Sequence, residues 1–568
     1  MKTRLPVMVQ DPNTSRFKNI KFVEDSFAEG ESYFLDGPVS ERVAILDFDE
    51  QSGELRPGVV FSPPGRVLAH YEITCLPNSK KYDTSARDFH MVCVLGSILK
   101  TMYIFEREEV LGRRLEWAFD APHLLVIPRA GLWENAFYER ETHSLQFFYF
   151  PSKKDKKQII YTSLSRDIVA HETAHAIVDG IVPDLYDALT PQSLALHEAV
   201  ADLTAVLMSF RSHNLVRAIL RETEGSIMES TAFSSIAEEF GSARDPLGEA
   251  QDLRSLYNDK KLSDVSSFRP HGLSEVLSGA LYTLMVKLHE YLKQRYAQEP
   301  EFANKRRPAY AAAYKALGVG RTRFSGMILR ALDYLPPGDV SFADYGRAII
   351  AADKGLLPEG ELERDWLKEE FVKRGIVAHA SELDVKMNYI YEPLAAIDAD
   401  DLVESDWVAY QFAHQNRELL RIPEDVSFKV SPRHVATKYA ILRRPGQEDI
   451  ARKVYECLFK VSWQHTEANH VSATLPDKRR INVGTTLVID FSAPGNPVRA
   501  LLTSDLSEQQ RENRDALLRH LLDEGLLKMG PAAVGPHGRP LASVVQAEST
   551  NGYLHINGTA RMLHIVGD

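Results

Sequence analysis

Residues 167–180 of the chain read DIVAHETAHAIVDG and contain the pattern His-Glu-x-x-His between His171 and His175. On an α-helix, residues four apart lie on one face with their Cβ atoms about 5–6 Å apart, so these two imidazoles can share one metal ion. Glu172 is adjacent to His171 and points to the flank of that face, where it can reach a water on the metal without being a ligand. Helix-start residues precede the motif, and a glycine and a proline follow it. The stretch therefore predicts a helix that binds a metal.

A second apolar segment, residues 194–210 (LALHEAVADLTAVLMSF), supplies the next candidate ligands. A catalytic zinc site takes three protein ligands and keeps one position open. We expect Glu198 to be the third ligand and Asp202, four residues later on the same face, to accept a hydrogen bond from the far nitrogen of a ligand histidine. His197 is the alternative third ligand. Glu198 is preferred because the Glu198–Asp202 pair accounts for two residues with one geometry.

Together, DIVAHETAHAIVDG and the later HEAVAD (residues 197–202) resemble the thermolysin-like gluzincins. These zinc metallopeptidases have the pattern D-x-x-x-H-E-x-x-H followed by N-E-x-x-S-D, and the resemblance covers about residues 85–376. The resemblance implies that His171, His175 and Glu198 are the three metal ligands. Asp167 and Asp202 correspond to the family's two supporting acids. Glu172 corresponds to its general base. The resemblance implies one zinc ion and the hydrolysis of peptide bonds in a peptide or protein substrate.

Further matches follow in the family's order and imply roles in substrate binding. Asn135 and Ala136 resemble the edge strand whose asparagine side chain and alanine carbonyl hold the substrate backbone. Tyr186 and His271 resemble the two groups that stabilise the oxyanion of the tetrahedral intermediate. Arg254, in the sequence Leu-Arg-Ser, resembles the arginine that binds a substrate carbonyl.

The resemblance also implies a pocket for the substrate side chain that follows the cut. Its lining would include Ile168 and Leu253, and both are apolar. Neither side chain can pair with a charged group, and burial of an unpaired charge is costly. We therefore expect cleavage on the N-terminal side of Leu, Phe, Ile or Val.

The chain departs from the family pattern at several places. The connection between the second and third ligands is longer than in the family, which indicates an insertion near residues 187–192. His197 stands where the family has an asparagine. Residues 203–220 contain no acid, so a calcium site is not expected there. Residues 377–568 resemble no family.

The pattern along the chain is typical of an α+β protein with a thermolysin-like two-lobe catalytic part and an additional C-terminal α+β domain. We expect a β-rich lobe, a helical lobe, and a domain boundary near residues 377–395. The four predicted regions are β-rich residues 1–85, the N-terminal catalytic lobe with the metal helix at 86–180, the helical lobe at 181–376, and the C-terminal domain at 377–568. Local patterns predict helices at 86–105 and 507–527, strands at 124–128 and 485–491, and a hairpin within 144–162.

Composition limits the classes of partner. The chain of 568 residues has a net charge of −12, which gives no reason to expect binding to nucleic acid or to an anionic membrane. Three cysteines are too few for a disulfide framework in this length and suit a reducing compartment. No apolar signal region and no stretch of about 20 apolar residues is found, so a cytoplasmic protein is expected, although export without an N-terminal signal would leave no such trace.

Two other functions fit the same motif. A zinc hydrolase could act on a substrate that is not a peptide, since one type of site can serve several chemistries. A non-catalytic scaffold could keep the metal for its fold alone. Glu172 argues against the scaffold, because a purely structural metal site has no use for a general base.

Overall fold

The structure, a computed structural model, describes residues 4–12, 23–27, 30–49, 52–59, 61–62, 72–73, 84–228, 235–236, 254–266, 268–442, 450–530 and 545–557. These residues form a mixed α+β protein with a six-stranded sheet, a seven-stranded sheet and several two-stranded ones. A mixed α+β class was expected from the sequence, and it is confirmed.

The N-terminal part contains short strands. They are β1 Arg4–Met8, β2 Val23–Phe27, β3 Phe34–Leu35, β4 Val39–Ser40, β5 Val43–Ile45, β6 Phe61–Ser62, β7 Glu72–Ile73, β8 Leu124–Ile127, β9 Ala136–Glu139, β10 Ser144–Phe147, β11 Tyr149–Pro151 and β12 Ile159–Tyr161. The six-stranded sheet has the order β3-β4-β5-β8-β10-β9. Strands β5, β8 and β10 are parallel, and β9 is antiparallel to β10 at the end of that order. The predicted hairpin forms between β11 and β12.

Helices dominate the middle of the chain. They are α1 Arg87–Glu106, α2 Arg166–Ile181, α3 Pro191–Ser209, α4 His213–Glu222, α5 Pro270–Ala297, α6 Pro300–Ala303, α7 Pro308–Ile328, α8 Ala331–Tyr334, α9 Phe342–Leu356 and α10 Glu361–Lys373. Short 3-10 helices occur at Thr162–Leu164, Pro183–Leu185, Leu262–Asp264 and Ala380–Leu383. Strands β13 Ser235–Ile236 and β14 Arg254–Ser255 pair with each other. Proline stands at the first position of α3, α5, α6 and α7, where its missing N–H costs no hydrogen bond.

Three helices form the centre of the main core. Helices α1, α2 and α3 pack against one another, and nearly every residue of α2 and α3 is buried. Helix α1 is long and apolar enough to cross a membrane, but 83% of its apolar window is buried inside the protein. Its apolar surface is therefore accounted for by the core.

The C-terminal part combines short helices with a long sheet. The elements are α11 Glu392–Ala395, α12 Ala399–Glu404, α13 Asp406–Gln415, α14 Arg417–Leu420, β15 Phe428–Leu442, β16 Ile450–Ala468, β17 Lys478–Asp490, β18 Val498–Thr503, α15 Glu508–Asp523, β19 Leu527–Met529, β20 Val545–Thr550 and β21 Tyr553–Asn557. Strands β15, β16, β17 and β18 are antiparallel neighbours.

Both faces of this sheet are buried against other layers. On β16, Leu458 joins the main core of the helical region, whereas its neighbours Cys457 and Phe459 join a second core formed with α11 to α14. The alternation follows from the two-residue period of a strand. The boundary expected near residues 377–395 is thus not a break in packing, because the main hydrophobic core continues from the helices into the sheet.

Candidate metal centre

Helix α2 presents two histidines on one face. His171 and His175 are one turn apart, and their Nε2 atoms lie 3.0 Å from each other with the ring planes at 83°. Helix α2 is buried on all sides, so both imidazoles lie in the interior. The four-residue spacing has the predicted result: two ring nitrogens point at one place.

Helix α3 brings the third group to the same place. Glu198 Oε2 is 3.4 Å from His171 Nε2, and Glu198 Oε1 is 3.6 Å from His175 Nε2. One atom from each of the three residues lies within 4.8 Å of the other two. Within the described residues, no other group of three or more histidines, cysteines or acids fits a metal ion in this way.

The donor set suits a metal ion of borderline softness. Two imidazole nitrogens and one carboxylate oxygen are the ligands of many catalytic zinc sites. Full burial of His175 and Glu198 means that water does not solvate these groups. A buried, charged carboxylate that faces two imidazole nitrogens is a combination that a divalent cation would stabilise.

Each of the two converging histidines has an outer partner. Asp202, expected to support one of these histidines, has its Oδ1 atom 2.9 Å from His171 Nδ1. His197 Nδ1 lies 2.6 Å from His175 Nδ1, with the two ring planes nearly parallel at 7°. His197 therefore contacts the outer nitrogen of His175 and is not one of the three converging groups. The role of outer partner was not predicted for it.

Neighbouring imidazoles favour the charged form of Glu198. Burial raises the pKa of this carboxyl, but the imidazoles of His271, His175 and His171 outweigh burial and hold the pKa well below its usual range. For His171, burial lowers the pKa, but Asp202 and Glu198 outweigh it and raise the pKa to about 10. A metal ion would displace the proton from this imidazole, because a ligand histidine must be neutral at the coordinating nitrogen.

The start of α5 forms the accessible side of the pocket. His271 follows the first residue of α5, and its Nδ1 atom lies 3.2 Å from Glu198 Oε2. The His271 side chain is 18% exposed, whereas Glu198 is fully enclosed. Glu172, next to His171 on α2, is 5% exposed. Three converging groups therefore lie beside a histidine on their solvent side, and the buried Glu172 follows His171 on the same helix.

The predicted substrate strand lies at the end of the six-stranded sheet. Ala136 begins β9, and the Asn135 side-chain oxygen accepts a hydrogen bond from the Ala136 N–H at 2.8 Å. The Tyr138 hydroxyl donates to Asp179 of α2 at 2.7 Å, so β9 is tied to the helix that carries His171 and His175. Trp133, 40% exposed, lies edge-on to Phe137 of β9. The end of the sheet therefore offers a backbone edge flanked by aromatic rings.

Tyr186 lies in a buried cluster with Arg140 and Tyr138. Its side chain is buried, its ring lies 4.2 Å from the Arg140 guanidinium and edge-on to Tyr138, and its hydroxyl accepts a hydrogen bond from the Arg140 N–H at 3.5 Å. Burial raises the pKa of this hydroxyl. Arg140 also pairs with Asp179 and with Asp187 of the insertion, which fixes the cluster around the ring. These contacts hold the Tyr186 ring by packing.

The structure describes only some of the remaining predicted residues. Asp167 accepts two hydrogen bonds from Arg166 at the start of α2, at 2.8 and 3.1 Å. Ile168 is half-buried and packs against the main core. Arg254 belongs to β14, where it pairs with Ile236. The Arg254 side chain and the whole of Leu253 lie outside the described residues, as does the apolar pocket that Leu253 would help to line.

The inserted connection is anchored at both ends. The Leu189 N–H donates to Asp339 at 2.8 Å, and the Gln192 side chain accepts from the Phe342 N–H at 2.9 Å. Asp339 in turn lies 3.3 Å from Arg514 of the C-terminal helix α15. The connection between the second and third ligands is thus held against the C-terminal part.

The chain matches no protein-family model and no curated protein.

Proposed function

We propose that the protein is a zinc-dependent endopeptidase with the two-lobe arrangement of the thermolysin-like gluzincins. In this arrangement the β-rich lobe supplies the substrate strand β9, and the helical lobe supplies Glu198 and His271. The observation that carries the proposal is the convergence of His171, His175 and Glu198 beside a buried glutamate. A purely structural metal site would gain nothing from Glu172 and would pay its burial cost.

Zinc fits the donor set better than the hard cations. Calcium and magnesium take oxygen ligands almost alone, whereas zinc takes imidazole readily. When bound, the ion would polarise the scissile carbonyl and lower the pKa of a coordinated water from 15.7 toward about 7. Asp202 and His197 would hold the two ligand imidazoles in orientation through their outer nitrogens.

Glu172, His271 and strand β9 would carry out the remaining parts of the proposed reaction. Glu172 accepts the proton of the attacking water and passes it to the leaving amine. His271, at the accessible side, donates a hydrogen bond to the oxyanion. Ala136 and the rest of β9 pair with the extended substrate as an added strand. This mode binds backbone and so tolerates many sequences.

A paired substitution tests the reaction and the ligand set separately. We expect Glu172→Gln to keep its zinc but to lose peptidase activity by several orders of magnitude, because a base is removed and no ligand is. His175→Ala is the matched control and should lose the zinc as well. The measurements are zinc content by elemental analysis and hydrolysis of a denatured protein. Wild-type protein without zinc, or without hydrolysis, would contradict the proposal, and zinc loss in Glu172→Gln would show that the roles are assigned wrongly.

Side-chain specificity is expected to come from the pocket near Ile168. Burial of a Leu or Phe side chain is worth about 1.5–3 kcal/mol, whereas an unpaired charge would cost more than that gain. We expect a preference of about ten- to a hundred-fold in kcat/KM for Leu, Phe, Ile or Val after the cut. Mass-spectrometric mapping of the cuts in an unfolded protein measures it. Cuts that cluster before Asp, Glu or Lys would mean that Ile168 does not line this pocket.

A further inference from the structure

Helix α15 of the C-terminal part packs against α3, the helix that carries Glu198. It spans Glu508–Asp523 and contacts α3 directly. Its residues Leu517, Leu518 and Leu521 are buried in the main hydrophobic core. By its packing, α15 therefore belongs to the region of the candidate metal centre, although it comes from the part of the sequence that resembles no family.

One residue of α15 reaches the connection between the second and third converging groups. Arg514 is buried, and its Nη1 atom lies 3.3 Å from Asp339, which accepts the Leu189 N–H of that connection at 2.8 Å. The Arg514 guanidinium also donates two hydrogen bonds to the Glu467 carboxylate, at 2.8 and 2.9 Å. Such a two-bond pair fixes the orientation of the guanidinium. Helix α15 thus holds the connection on one side of the metal centre.

A second residue of α15 reaches the segment that leads into α5. The imidazole ring of His520 is stacked on the Phe268 ring, with the centroids 5.0 Å apart and the ring planes at 20°. Phe268 lies two residues before Pro270, the first residue of α5, and three residues before His271. The stack therefore joins the C-terminal part to the start of the helix that carries His271.

The position of His271 depends on how α5 begins. Its Nδ1 atom lies 3.2 Å from Glu198 Oε2, and its side chain is on the accessible side of the converging groups. Just before it, the N–H groups of Phe268 and Arg269 donate to the Ser266 hydroxyl and carbonyl, at 3.4 and 3.3 Å. These bonds lie within the segment, so they do not fix its place relative to Glu198. The ring stack does, because α15 is itself anchored in the core.

We propose that His520 is a positioning residue, which acts through Phe268 to hold His271 where it can stabilise the oxyanion. The inference rests on the proposed peptidase function. A displacement of about 1 Å in a group that acts on the reacting atoms can lower the rate about 100-fold. An interaction with the oxyanion is made only in the transition state, so its loss lowers kcat and leaves KM nearly unchanged.

Steady-state kinetics of full-length variants test the proposal, on an internally quenched peptide with Leu after the expected cut. We expect His520→Ala to lower kcat about 10- to 100-fold with little change in KM. His520→Phe should recover most of kcat, because it keeps a flat ring against Phe268. Arg519→Gln changes an exposed neighbour on α15 and should match the wild type. Zinc content and Tm are measured for every variant, well below the temperature of unfolding for the kinetics.

A double-mutant cycle separates this contact from a general disturbance of the fold. Phe268→Ala should lower kcat as much as His520→Ala, and the double variant should lose no more than either one, because both changes remove the same contact. Hydrogen exchange of the backbone amides at residues 268–275 provides a readout that does not depend on activity. Exchange there should be faster in His520→Ala than in Arg519→Gln, since loss of the contact makes local opening easier.

Several results would overturn the positioning role. They are a wild-type kcat in His520→Ala, losses that add in the double variant, unchanged exchange at residues 268–275, or a loss of kcat that only follows a loss of zinc or of folded protein. The proposed function fails in a different way. Wild-type protein that does not hydrolyse the peptide overturns that function and this inference with it, whereas an active wild type with an equally active His520→Ala overturns this inference alone.

Discussion

Asp202 and His197 contact the outer nitrogens of the two proposed ligand histidines, His171 and His175. Asp202 Oδ1 lies 2.9 Å from His171 Nδ1, whereas His175 is held by the imidazole of His197 at 2.6 Å between Nδ1 atoms. A neutral imidazole has one donor and one acceptor nitrogen, so one of these two Nδ1 atoms must carry the proton. If His175 is to bind a metal through Nε2, its Nδ1 donates and the Nδ1 of His197 accepts. His197 thus selects the tautomer that a ligand needs.

Substitution of His197 should weaken metal binding without abolishing it. We expect His197→Leu to lower the affinity for zinc about 10- to 100-fold, the usual effect of losing an outer partner of a ligand histidine. His197→Asn should restore most of the affinity, because an amide oxygen can accept the same proton. Competition with a chelator of known affinity measures both.

The exposed His470 provides the control for this experiment. His470→Asn should bind zinc like the wild type. If His197→Leu lost the metal as completely as His175→Ala does, then His197 would be a ligand, which is the alternative that the sequence left open.

A site residue could be predicted from the sequence where its position depends on local helical spacing, but not where it depends on a contact between distant parts of the chain. The helical period alone predicts that His171 and His175 share a face and that Asp202 follows Glu198 on the next helix. Contact between His271 and Glu198 joins residues 73 positions apart at 3.2 Å. No local pattern contains such a contact, and only the family resemblance suggested that His271 belongs to the site. Tyr186 was suggested in the same way, and its ring packs on Arg140.

At the scale of elements, periodicity predicted helices better than it predicted long strands. The predicted helix at 86–105 is observed as Arg87–Glu106, and that at 507–527 as Glu508–Asp523. Strand β16, Ile450–Ala468, was not predicted. Both of its faces are covered, and buried lysine and glutamate alternate with apolar residues on it. The simple apolar–polar alternation of a half-exposed strand is therefore missing.

Helix α3 carries no acidic residue after Asp202. Residues 203–209 are all buried and include no acid, and Thr204 hydrogen-bonds to the Val200 carbonyl of its own helix. We therefore expect a calcium-selective chelator to leave Tm unchanged. Phenanthroline should lower Tm, because it removes an ion that binds only the folded state. A fall of many degrees with the calcium chelator alone would contradict this expectation and would place a calcium site elsewhere.

The whole molecule is joined by charged groups buried between the helices and the C-terminal sheet. Glu456 of β16 is fully buried and lies 3.1 Å from Lys438 Nζ, 2.9 Å from the Tyr334 hydroxyl and in contact with Arg330. Lys438 continues to Asp333 at 2.9 Å. Residues from β15, β16 and α8 therefore neutralise one another across the boundary expected near residues 377–395. With the shared apolar core, this predicts that the sheet and the helices unfold together.

Substitution of Glu456 tests whether the helices and the C-terminal sheet unfold together. In Glu456→Gln, Arg330 and Lys438 lose the carboxylate that compensates them, and breaking a buried pair in this way costs about 3–5 kcal/mol. Urea unfolding at pH 7 should show this loss in one transition for the whole chain. The exposed Glu548 of β20 provides the control, since Glu548→Gln should change the free energy of unfolding by less than about 0.5 kcal/mol.

The pKa of Glu456 predicts how this loss of stability changes with pH. Burial raises the pKa of Glu456, but Arg330, Lys438 and Arg499 outweigh it and lower the pKa to about 2, from 4.5 in an unfolded chain. A lowered pKa in the folded state means that the carboxylate stabilises the fold above pH 4.5 and loses this effect as the pH falls toward 2. The difference in stability between wild type and Glu456→Gln should therefore be constant from pH 7 to 5 and shrink below pH 4.5. A difference that stayed constant to pH 3 would show that Glu456 does not titrate with these partners, and two separate unfolding transitions at pH 7 would show that the sheet is an independent domain.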